Sequence, residues 1–312
     1  MKHKEAILAS SKRIAPYVHK TPVLRSQGIN AICETNLFFK CENFQKMGAF
    51  KMRGATNAIL QLTEAQRSRG VVTHSSGNFA QALSLAAKSL GVTAYIVMPE
   101  NAPQVKKDAV LGYDGKITIC HATLAAREAT SAQIAKETGA TFVHPSNDID
   151  VIYGNATSGL EFLEEQLDLE VVIAPVGGGG LLAGTALATH YFGKDCKAIG
   201  GEPSAVDDAY RSLQSGKIEI NTSTNTIADG LRTHLGDINF PILQKYVDKI
   251  ICVDEAAILE AMKLIYQRLK IVVEPSSAVA LAVVLQNKNA FKNKQVGVLL
   301  SGGNVDLQKL PF

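Results

Sequence analysis

Segments typical of β-strands and of α-helices alternate along most of this chain, and this alternation limits the folds open to it. Short apolar runs lie at residues 37–41, 70–73, 93–98, 116–120, 170–174, 197–200 and 295–300. Stretches with helical spacing or strong helix propensity separate several of them, as at residues 79–88 and 124–138. This order is typical of parallel sheets covered by helices, so the predicted class is α/β.

The alternation falls into two series, which predicts two lobes. One series occupies residues 70–144, and the other begins near residue 170 and ends at residue 300. A chain of 312 residues with 46% hydrophobic content can bury two cores. We predict a large domain of residues 1–60 and 147–312 and a small mobile domain of residues 61–146. Because ligands bind at the carboxyl ends of such strands, the crevice between the lobes is the expected site.

Charge, apolar runs and cysteine spacing argue against several classes of protein. The net charge of +3 is spread along the chain without a basic tract, so no nucleic-acid partner is expected. The N-terminus lacks the apolar core of a signal peptide, and no apolar run is long enough to span a bilayer, so no membrane association is expected. Five cysteines without a C-x-x-C pair indicate reduced thiols and a cytoplasmic protein.

Four consecutive glycines, 177–180, follow the apolar run 171–174, and residues 181–191 after them can form a helix. Glycine leaves the backbone amides unshielded, and a helix N-terminus attracts anions. The segment therefore predicts a phosphate-binding loop that needs no arginine. The same glycines, with Ala183 and with Glu202 about twenty residues later, also fit a dinucleotide fingerprint, which leaves an NAD-binding oxidoreductase open.

Lys51 lies directly after an aromatic residue in the segment K-M-G-A-F-K-M-R-G-A, and Ser301 opens a glycine-containing turn after another apolar run. An amine, a phosphate loop and a polar partner for a ring nitrogen are the groups that pyridoxal phosphate requires. The nicotinamide alternative gives neither Lys51 nor Ser301 a role. A non-catalytic protein that keeps the fold is a third possibility, which the presence of both Lys51 and Ser76 disfavours.

Five segments carry a resemblance to a known family over essentially the whole chain: K-x-G-A-F-K-x-R-G-A, S-S-G-N, P-V-G-G-G-G-L, E-P-S and L-S-G-G-N. In this order and at these spacings they resemble the fold-type II pyridoxal phosphate enzymes of the serine/threonine dehydratase and serine racemase group. The resemblance implies a two-lobed fold like that of the tryptophan synthase beta chain, with the cofactor in the interdomain crevice. It also implies a homodimer and a small hydroxy amino acid as substrate.

The resemblance assigns cofactor-binding roles to residues of this chain. Lys51 would bind the aldehyde covalently and then act as general base beside the substrate Cα–H. Phe50 would pack beside the pyridine ring, Asn78 would donate to its 3′-oxygen, and Ser301 would face its nitrogen. A hydroxyl there cannot keep the ring nitrogen protonated, which favours expulsion of a β-hydroxyl group. The phosphate would be bound by the backbone amides of Gly177, Gly178, Gly179, Gly180 and Leu181.

The turn of residues 75–78 is the predicted binding place of the substrate carboxylate. The amides and hydroxyls of Ser75 and Ser76, with Asn78 at the start of a helical stretch, can form an anion-binding nest. An ordinary helix cap is the alternative. Dehydratases of this group commonly have alanine at position 76, whereas Ser76 resembles a racemase serine that acts as a second acid or base on the ring face opposite Lys51.

Two further positions near the substrate follow from the resemblance. Many relatives carry His-Gly or His-Ala where this chain has Phe79-Ala80, so only the backbone amide of Phe79 is expected to assist anion binding. Arg127 occupies the position of a racemase arginine that can approach the substrate carboxylate. An arginine on a helix is more often exposed to solvent, and this alternative stays open for Arg127.

Glu202 and Asp208 lie six residues apart after a predicted strand, with Val206 between them. Two carboxylates and the Val206 carbonyl are hard oxygen ligands suited to Mg²⁺ or Ca²⁺. The set resembles the divalent-cation site of eukaryotic serine racemases. The alternative is a pair of acidic residues that ends a strand.

The leading functional prediction is a dehydratase that converts L-serine or L-threonine to pyruvate or 2-oxobutanoate and ammonia. A serine racemase, or a dehydratase for 3-hydroxyaspartate, is the alternative within the same family. Ser76 motivates this alternative, because two acid/base groups on opposite faces of the ring permit racemisation.

Overall fold

The computed structural model describes residues 2–312, which form two sheets flanked by helices. The strands are β1 (Val23–Leu24), β2 (Asn36–Cys41), β3 (Val71–His74), β4 (Ala94–Pro99), β5 (Lys116–Cys120), β6 (Thr141–Phe142), β7 (Val171–Pro175), β8 (Lys197–Pro203), β9 (Val247–Val253) and β10 (Gln295–Leu300). The helices are α1 (Lys2–Ile14), α2 (Gln27–Cys33), α3 (Lys51–Gln61), α4 (Glu64–Arg69), α5 (Asn78–Ser89), α6 (Gln104–Gly112), α7 (Leu124–Thr138), α8 (Ile149–Glu165), α9 (Gly180–Phe192), α10 (Asp208–Ser215), α11 (Phe240–Tyr246), α12 (Glu255–Leu264), α13 (Pro275–Gln286) and α14 (Lys288–Phe291).

The larger sheet has six strands in the order β1-β2-β10-β7-β8-β9. All neighbouring pairs are parallel except β1 with β2. Its central strands β7 and β10 are almost entirely buried, which agrees with their continuous apolar sequences. Helix α13 is buried along nearly its whole length and joins these strands in the largest apolar cluster, while α8 and α9 contribute to a second cluster.

The smaller sheet has four parallel strands in the order β5-β4-β3-β6. Helices α5 and α7 pack against it, and α3 contacts both α5 and α8, so α3 lies between the two sheets. The predicted α/β class with parallel sheets is confirmed. The domain boundaries at residues 60 and 146 stay predictions. Among residues 2–312, no helix combines the length and the apolar character that a membrane crossing requires.

Strands β1, β6 and β9 have no equivalent in the sequence prediction. Strands β1 and β6 have two residues each, too few for an alternating pattern to be visible. Strand β9 lies at the edge of the larger sheet and includes Asp248 and Lys249, which are exposed. An edge strand with charged residues lacks the continuous apolar run by which a buried parallel strand is recognised.

A buried network of charged side chains holds α3 in place, two residues beyond Lys51. The Arg53 guanidinium is fully buried; its Nε lies 2.8 Å from Glu42 Oε2 and its Nη1 lies 2.7 Å from Glu161 Oε1. Lys40, also buried, lies 3.0 Å from the other oxygen of Glu161. Because Glu42 follows β2 and Glu161 belongs to α8, the network joins the start of α3 to both elements.

We expect Arg53→Met to destabilise the protein strongly, because Glu42 then stays buried without its partner. The free energy of unfolding should fall by about 3–5 kcal/mol. In the control Lys88→Met, which removes an exposed pair with Asp114, it should fall by less than about 1 kcal/mol. Urea unfolding followed by circular dichroism measures both. Equal losses in the two variants would contradict a stabilising role of the buried network.

Candidate active site

Backbone pairing brings Lys51 next to the end of β10. Ala49 forms an isolated antiparallel bridge with Gly302, and the Phe50 amide donates to the Ser301 carbonyl at 3.0 Å. Lys51 then begins α3. The structure thus brings together Phe50, Lys51 and Ser301, which are far apart in the sequence, as the cofactor prediction requires.

Lys51 is half-buried as a whole residue, but its amine is removed from solvent and lies near two aromatic rings. Its Nζ donates to the Pro145 carbonyl at 2.6 Å and lies 5.0 Å from the Phe50 ring centroid and 5.6 Å from that of Phe79. Burial lowers the pKa of Lys51 to about 8, although the negative charge of Glu274 acts in the opposite direction. A lysine amine with this pKa loses its proton more readily than an exposed one, as a nucleophile and a general base require.

The two rings also attract the ammonium form, so two opposite effects act on Lys51. A cation–π contact of this kind is worth about 0.5–2 kcal/mol. The removal of an ammonium group from water costs several kcal/mol. Desolvation is the larger effect, which agrees with the lowered pKa of Lys51.

Asn78 lies in a chain of hydrogen bonds that the sequence does not reveal. Its Nδ2 donates to both carboxylate oxygens of Glu274, at 2.8 and 3.1 Å, and its Oδ1 accepts from Asn304 Nδ2 at 2.9 Å. Burial raises the pKa of Glu274 to about 7, although the hydrogen bond from Asn78 acts in the opposite direction. The segment that begins at Glu274 resembles a family segment near the cofactor, but sequence reasoning left the role of Glu274 open, because a single glutamate before proline does not indicate burial. The carboxylate fixes the orientation of the Asn78 amide.

The four-glycine loop has the properties of an anion cradle. Helix α9 begins at Gly180, and no side chain caps its N-terminus. Gly179 has a φ of +80°, a conformation that favours glycine. A Cβ on Gly180 would lie 2.8 Å from the Ser146 carbonyl oxygen, and one on Gly177 would lie 2.7 Å from Leu231 Cα. Only glycine therefore leaves these amides free, so the loop fits the phosphate of pyridoxal phosphate.

Side chains outside the predicted motifs hold this loop. Asn239 Nδ2 donates to the carbonyl oxygens of Gly178, at 2.8 Å, and of Ser146, at 3.2 Å. Asn239 Oδ1 accepts from the Gly236 amide at 3.1 Å. Sequence reasoning missed Asn239 and Ser146, since both lie in polar connections without periodicity. The contacts of Asn239 and Ser146 with the four-glycine loop can be recognised only from the structure.

The turn before α5 does not behave as an ordinary helix cap. The N-cap residue is Gly77, and no side chain accepts a capping hydrogen bond from the helix. The Ser75 hydroxyl accepts from the Gly77 amide at 3.3 Å, and Ser75 and Ser76 are both half-buried. The amides at the start of α5 are therefore available to an external anion, which fits a carboxylate-binding nest.

Within residues 2–312, Arg127 forms no hydrogen bond with Ser75 or Ser76. It is half-buried on α7, and its Nε donates to the Thr123 carbonyl at 3.4 Å. Among residues 2–312 no acidic side chain lies within 4.0 Å of its guanidinium. Burial, and after it the charge of Arg127, lowers the pKa of His74, which directly precedes Ser75. Glu128 acts on the pKa of His74 in the opposite direction, so the charge of Arg127 is partly offset there.

The predicted cation ligands Glu202 and Asp208 are both buried. The Glu202 oxygens accept from the amides of Ala209, at 2.9 Å, and Tyr210, at 2.7 Å. Asp208 Oδ1 accepts from Asn221, but its Oδ2 is buried without a hydrogen-bond partner. Burial, then the charge of Asp208, raises the pKa of Glu202 well above its usual range, and burial raises that of Asp208 to about 6.

These carboxylates are under-neutralised, and the unpartnered oxygen of Asp208 fits a divalent cation. Within residues 2–312 no group of three His, Cys, Asp or Glu side chains has the arrangement of a metal site. A cation here would therefore depend on oxygen ligands from the backbone, such as the Val206 carbonyl, or from water.

A family model described as pyridoxal-phosphate dependent enzyme matches residues 14–302. The chain belongs to this family. It is 47% identical over 308 residues to the beta-hydroxyaspartate dehydratase of Paracoccus denitrificans (strain Pd 1222), a match that covers 99% of this chain and 98% of that protein. It is 48% identical over 310 residues to the serine racemase of Dictyostelium discoideum, with 97% and 95% covered.

Solved structures agree with this assignment. The crystal structure of the Dictyostelium discoideum serine racemase matches with a TM-score of 0.93 at 48% identity, over 97% of this chain and 99% of that chain. The T.th. threonine deaminase matches with a TM-score of 0.92 at 41% identity, over 97% and 98%. The predicted family, fold-type II architecture and pyridoxal phosphate dependence are confirmed, and the protein is an enzyme of the ammonia-lyase and racemase kind. The roles of individual residues stay predictions.

We expect Gly180→Ala to weaken cofactor binding, because the new methyl group would collide with the Ser146 backbone and displace the loop. A tenfold or greater loss of affinity corresponds to about 1.4 kcal/mol or more. Pyridoxal phosphate titrated into the apoprotein and followed by visible absorption measures the affinity. The control Gly112→Ala, where nothing lies within 4 Å of the new methyl group, should bind as the wild type does. An unchanged affinity of Gly180→Ala would remove the loop from the phosphate site.

Proposed function

We propose that this protein is a pyridoxal-phosphate-dependent ammonia-lyase that eliminates water from a small β-hydroxy amino acid, in the first place L-serine or L-threonine. The product is the corresponding 2-oxo acid, with release of ammonia. The observation that carries the proposal is the Lys51 amine, which donates a hydrogen bond to the Pro145 carbonyl and has a pKa lowered to about 8. The preceding residue, Phe50, pairs through its backbone amide with Ser301. When bound, pyridoxal phosphate supplies an electron sink for the bond broken at the substrate Cα.

The residues of this chain have separate tasks in this reaction. Lys51 removes the Cα proton, since its neutral amine is accessible near neutral pH. The amides of the turn of residues 75–78 and of the start of α5 orient the substrate carboxylate, while the Ser76 hydroxyl serves as the acid or base on the other face. Ser301 would provide an uncharged partner for the ring nitrogen of the bound cofactor, which would limit electron withdrawal and favour loss of the β-hydroxyl group.

A second candidate substrate is 3-hydroxyaspartate. Its second carboxylate needs a positive partner, and the half-buried Arg127 has no acidic partner within 4.0 Å among residues 2–312. Similarity to a beta-hydroxyaspartate dehydratase of Paracoccus denitrificans and to an L-threo-3-hydroxyaspartate ammonia-lyase of Saccharomyces cerevisiae supports this candidate. Serine racemisation is the third candidate, supported by Ser76 and by similarity to serine racemases.

We expect the holoenzyme to release a 2-oxo acid and ammonia from at least one of L-serine, L-threonine and L-threo-3-hydroxyaspartate. A panel of these substrates with chiral product analysis measures elimination and racemisation together. Ser76→Ala should abolish interconversion of L- and D-serine but retain elimination from the L-substrate, because Lys51 acts on the opposite face. The control Ser89→Ala, at the exposed last residue of α5, should change neither.

Two outcomes of this panel would contradict the proposal. A cofactor-loaded protein that releases no 2-oxo acid from any of the three substrates is not an ammonia-lyase of this class. Loss of both elimination and racemisation in Ser76→Ala, with cofactor affinity unchanged, would contradict the assignment of separate faces to Lys51 and Ser76.

We also propose that Glu202, Asp208 and the Val206 carbonyl bind Mg²⁺ or Ca²⁺. The support is the buried, unpartnered Oδ2 of Asp208 close to a second buried carboxylate. A cation that binds only the folded protein stabilises it by about 2.7 kcal/mol at a hundredfold excess over Kd.

We expect Mg²⁺ or Ca²⁺ to raise the Tm of the wild type but not that of Asp208→Asn, which keeps the size of the side chain and removes its charge. Differential scanning calorimetry with and without each cation, after removal of bound metal by a chelator, measures the effect. Asp248→Asn, on the exposed edge strand β9, is the matched control and should respond as the wild type does. Equal responses of all three proteins would reject the site.

A further inference from the structure

The Phe79 side chain, which sequence reasoning left without a role, lies against the reactive lysine. Phe79 is the second residue of α5, and only 2% of its surface is exposed. Its ring centroid lies 5.6 Å from Lys51 Nζ, and the Phe50 ring lies 5.0 Å from the same atom. Phe79 shares an apolar cluster with Ala49 and Met52, which flank the Phe50-Lys51 pair in the sequence. The ring therefore forms part of the wall beside the amine.

The polar groups that face the amine come from other elements. The Pro145 carbonyl accepts its hydrogen bond, and the Glu274 carboxylate before α13 favours its charged form. His144 precedes Pro145, and burial lowers its pKa to about 4, with a smaller effect in the same direction from the charge of Lys51. The His144 side chain is therefore uncharged at neutral pH. His74, whose ring centroid lies 6.0 Å from that of His144, also has a lowered pKa.

We propose that Phe79 is a positioning residue for the reaction: its buried ring keeps water away from the Lys51 amine, so that the amine is available as a neutral base. The proposal rests on the role of Lys51 proposed above. The Phe79 ring excludes water and attracts the ammonium form of Lys51 only weakly. An imidazole at this position would instead carry a donor and an acceptor that attract water.

The sign of the effect follows from desolvation. Burial is the largest influence on Lys51 and disfavours its charged form. If the ring is made smaller or polar, water reaches the amine, the ammonium form is stabilised and the pKa of Lys51 rises towards that of an exposed lysine. Less neutral amine is then present at neutral pH.

The experiment measures the Lys51 amine directly, without turnover. The apoprotein is treated with a trace of acetic anhydride across the neutral and alkaline range, and the acetylation of each lysine is quantified by peptide mass spectrometry. The exposed Lys309 is the internal reference. The proteins compared are the wild type, Phe79→Leu, Phe79→His and Phe291→Leu. Phe291 is equally buried, at 2%, but belongs to the core of the larger sheet, so its variant controls for loss of packing.

The wild type should show a labelling midpoint near pH 8 for Lys51. In both Phe79 variants the midpoint should rise by about half a pH unit or more, equivalent to about threefold less neutral amine at neutral pH. Phe291→Leu should retain the wild-type midpoint. An unchanged midpoint in both Phe79 variants, or an equal shift in Phe291→Leu, would overturn the role of Phe79. If the wild type turns over its substrate in such a case, only the inference on Phe79 fails and the proposed function stands.

Discussion

The short pairing between residues 49–50 and residues 301–302 is the constraint on which the rest of the site depends. It joins the segment that follows β2 to the end of β10, which are neighbours in the larger sheet. Because parallel strands end at the same edge of a sheet, Lys51 and Ser301 meet there, and the loop after β7 ends beside them. A reactive amine, an uncharged hydroxyl and an anion cradle thus converge from distant parts of the chain.

The distribution of charged groups around the start of α3 determines how Lys51 can react. The amine of Lys51 lies between aromatic rings with a carbonyl as hydrogen-bond acceptor, and desolvation keeps its proton affinity low. Ionic compensation is found instead two residues further along α3, where Arg53 and Lys40 together offset the charges of Glu42 and Glu161. The start of α3 is therefore anchored through the ion pairs of Arg53. The amine of Lys51, two residues earlier, is poorly solvated. In the proposed function, the anionic cofactor would be bound by backbone amides of the four-glycine loop rather than by cationic side chains.

Much of this arrangement was predictable from sequence, because it depends on local patterns. Continuous apolar runs predicted the central strands β7 and β10, and the glycines at 177–180 predicted a loop whose backbone must be approached closely. The family resemblance by itself was enough to join Lys51 and Ser301 into one site. The edge strand β9, which carries charged residues, was not predicted.

Features that depend on burial were not predictable. Nothing in the sequence around Glu274 indicates that its carboxylate is buried and bonded to Asn78, which lies 196 residues away. Asn239 supports the glycine loop from a polar connection without a pattern, and the position of the Phe79 ring depends on how α5 meets α3. In each case long-range packing, rather than the type of residue, decides what the side chain does.

The most direct test of the account is to identify the lysine that binds the cofactor. The holoprotein is reduced with borohydride, digested and mapped by mass spectrometry. The account predicts a pyridoxyl group on the peptide that contains Lys51 and on no other lysine. A map in which position 51 is unmodified, whether another lysine carries the label or none does, would contradict the central claim.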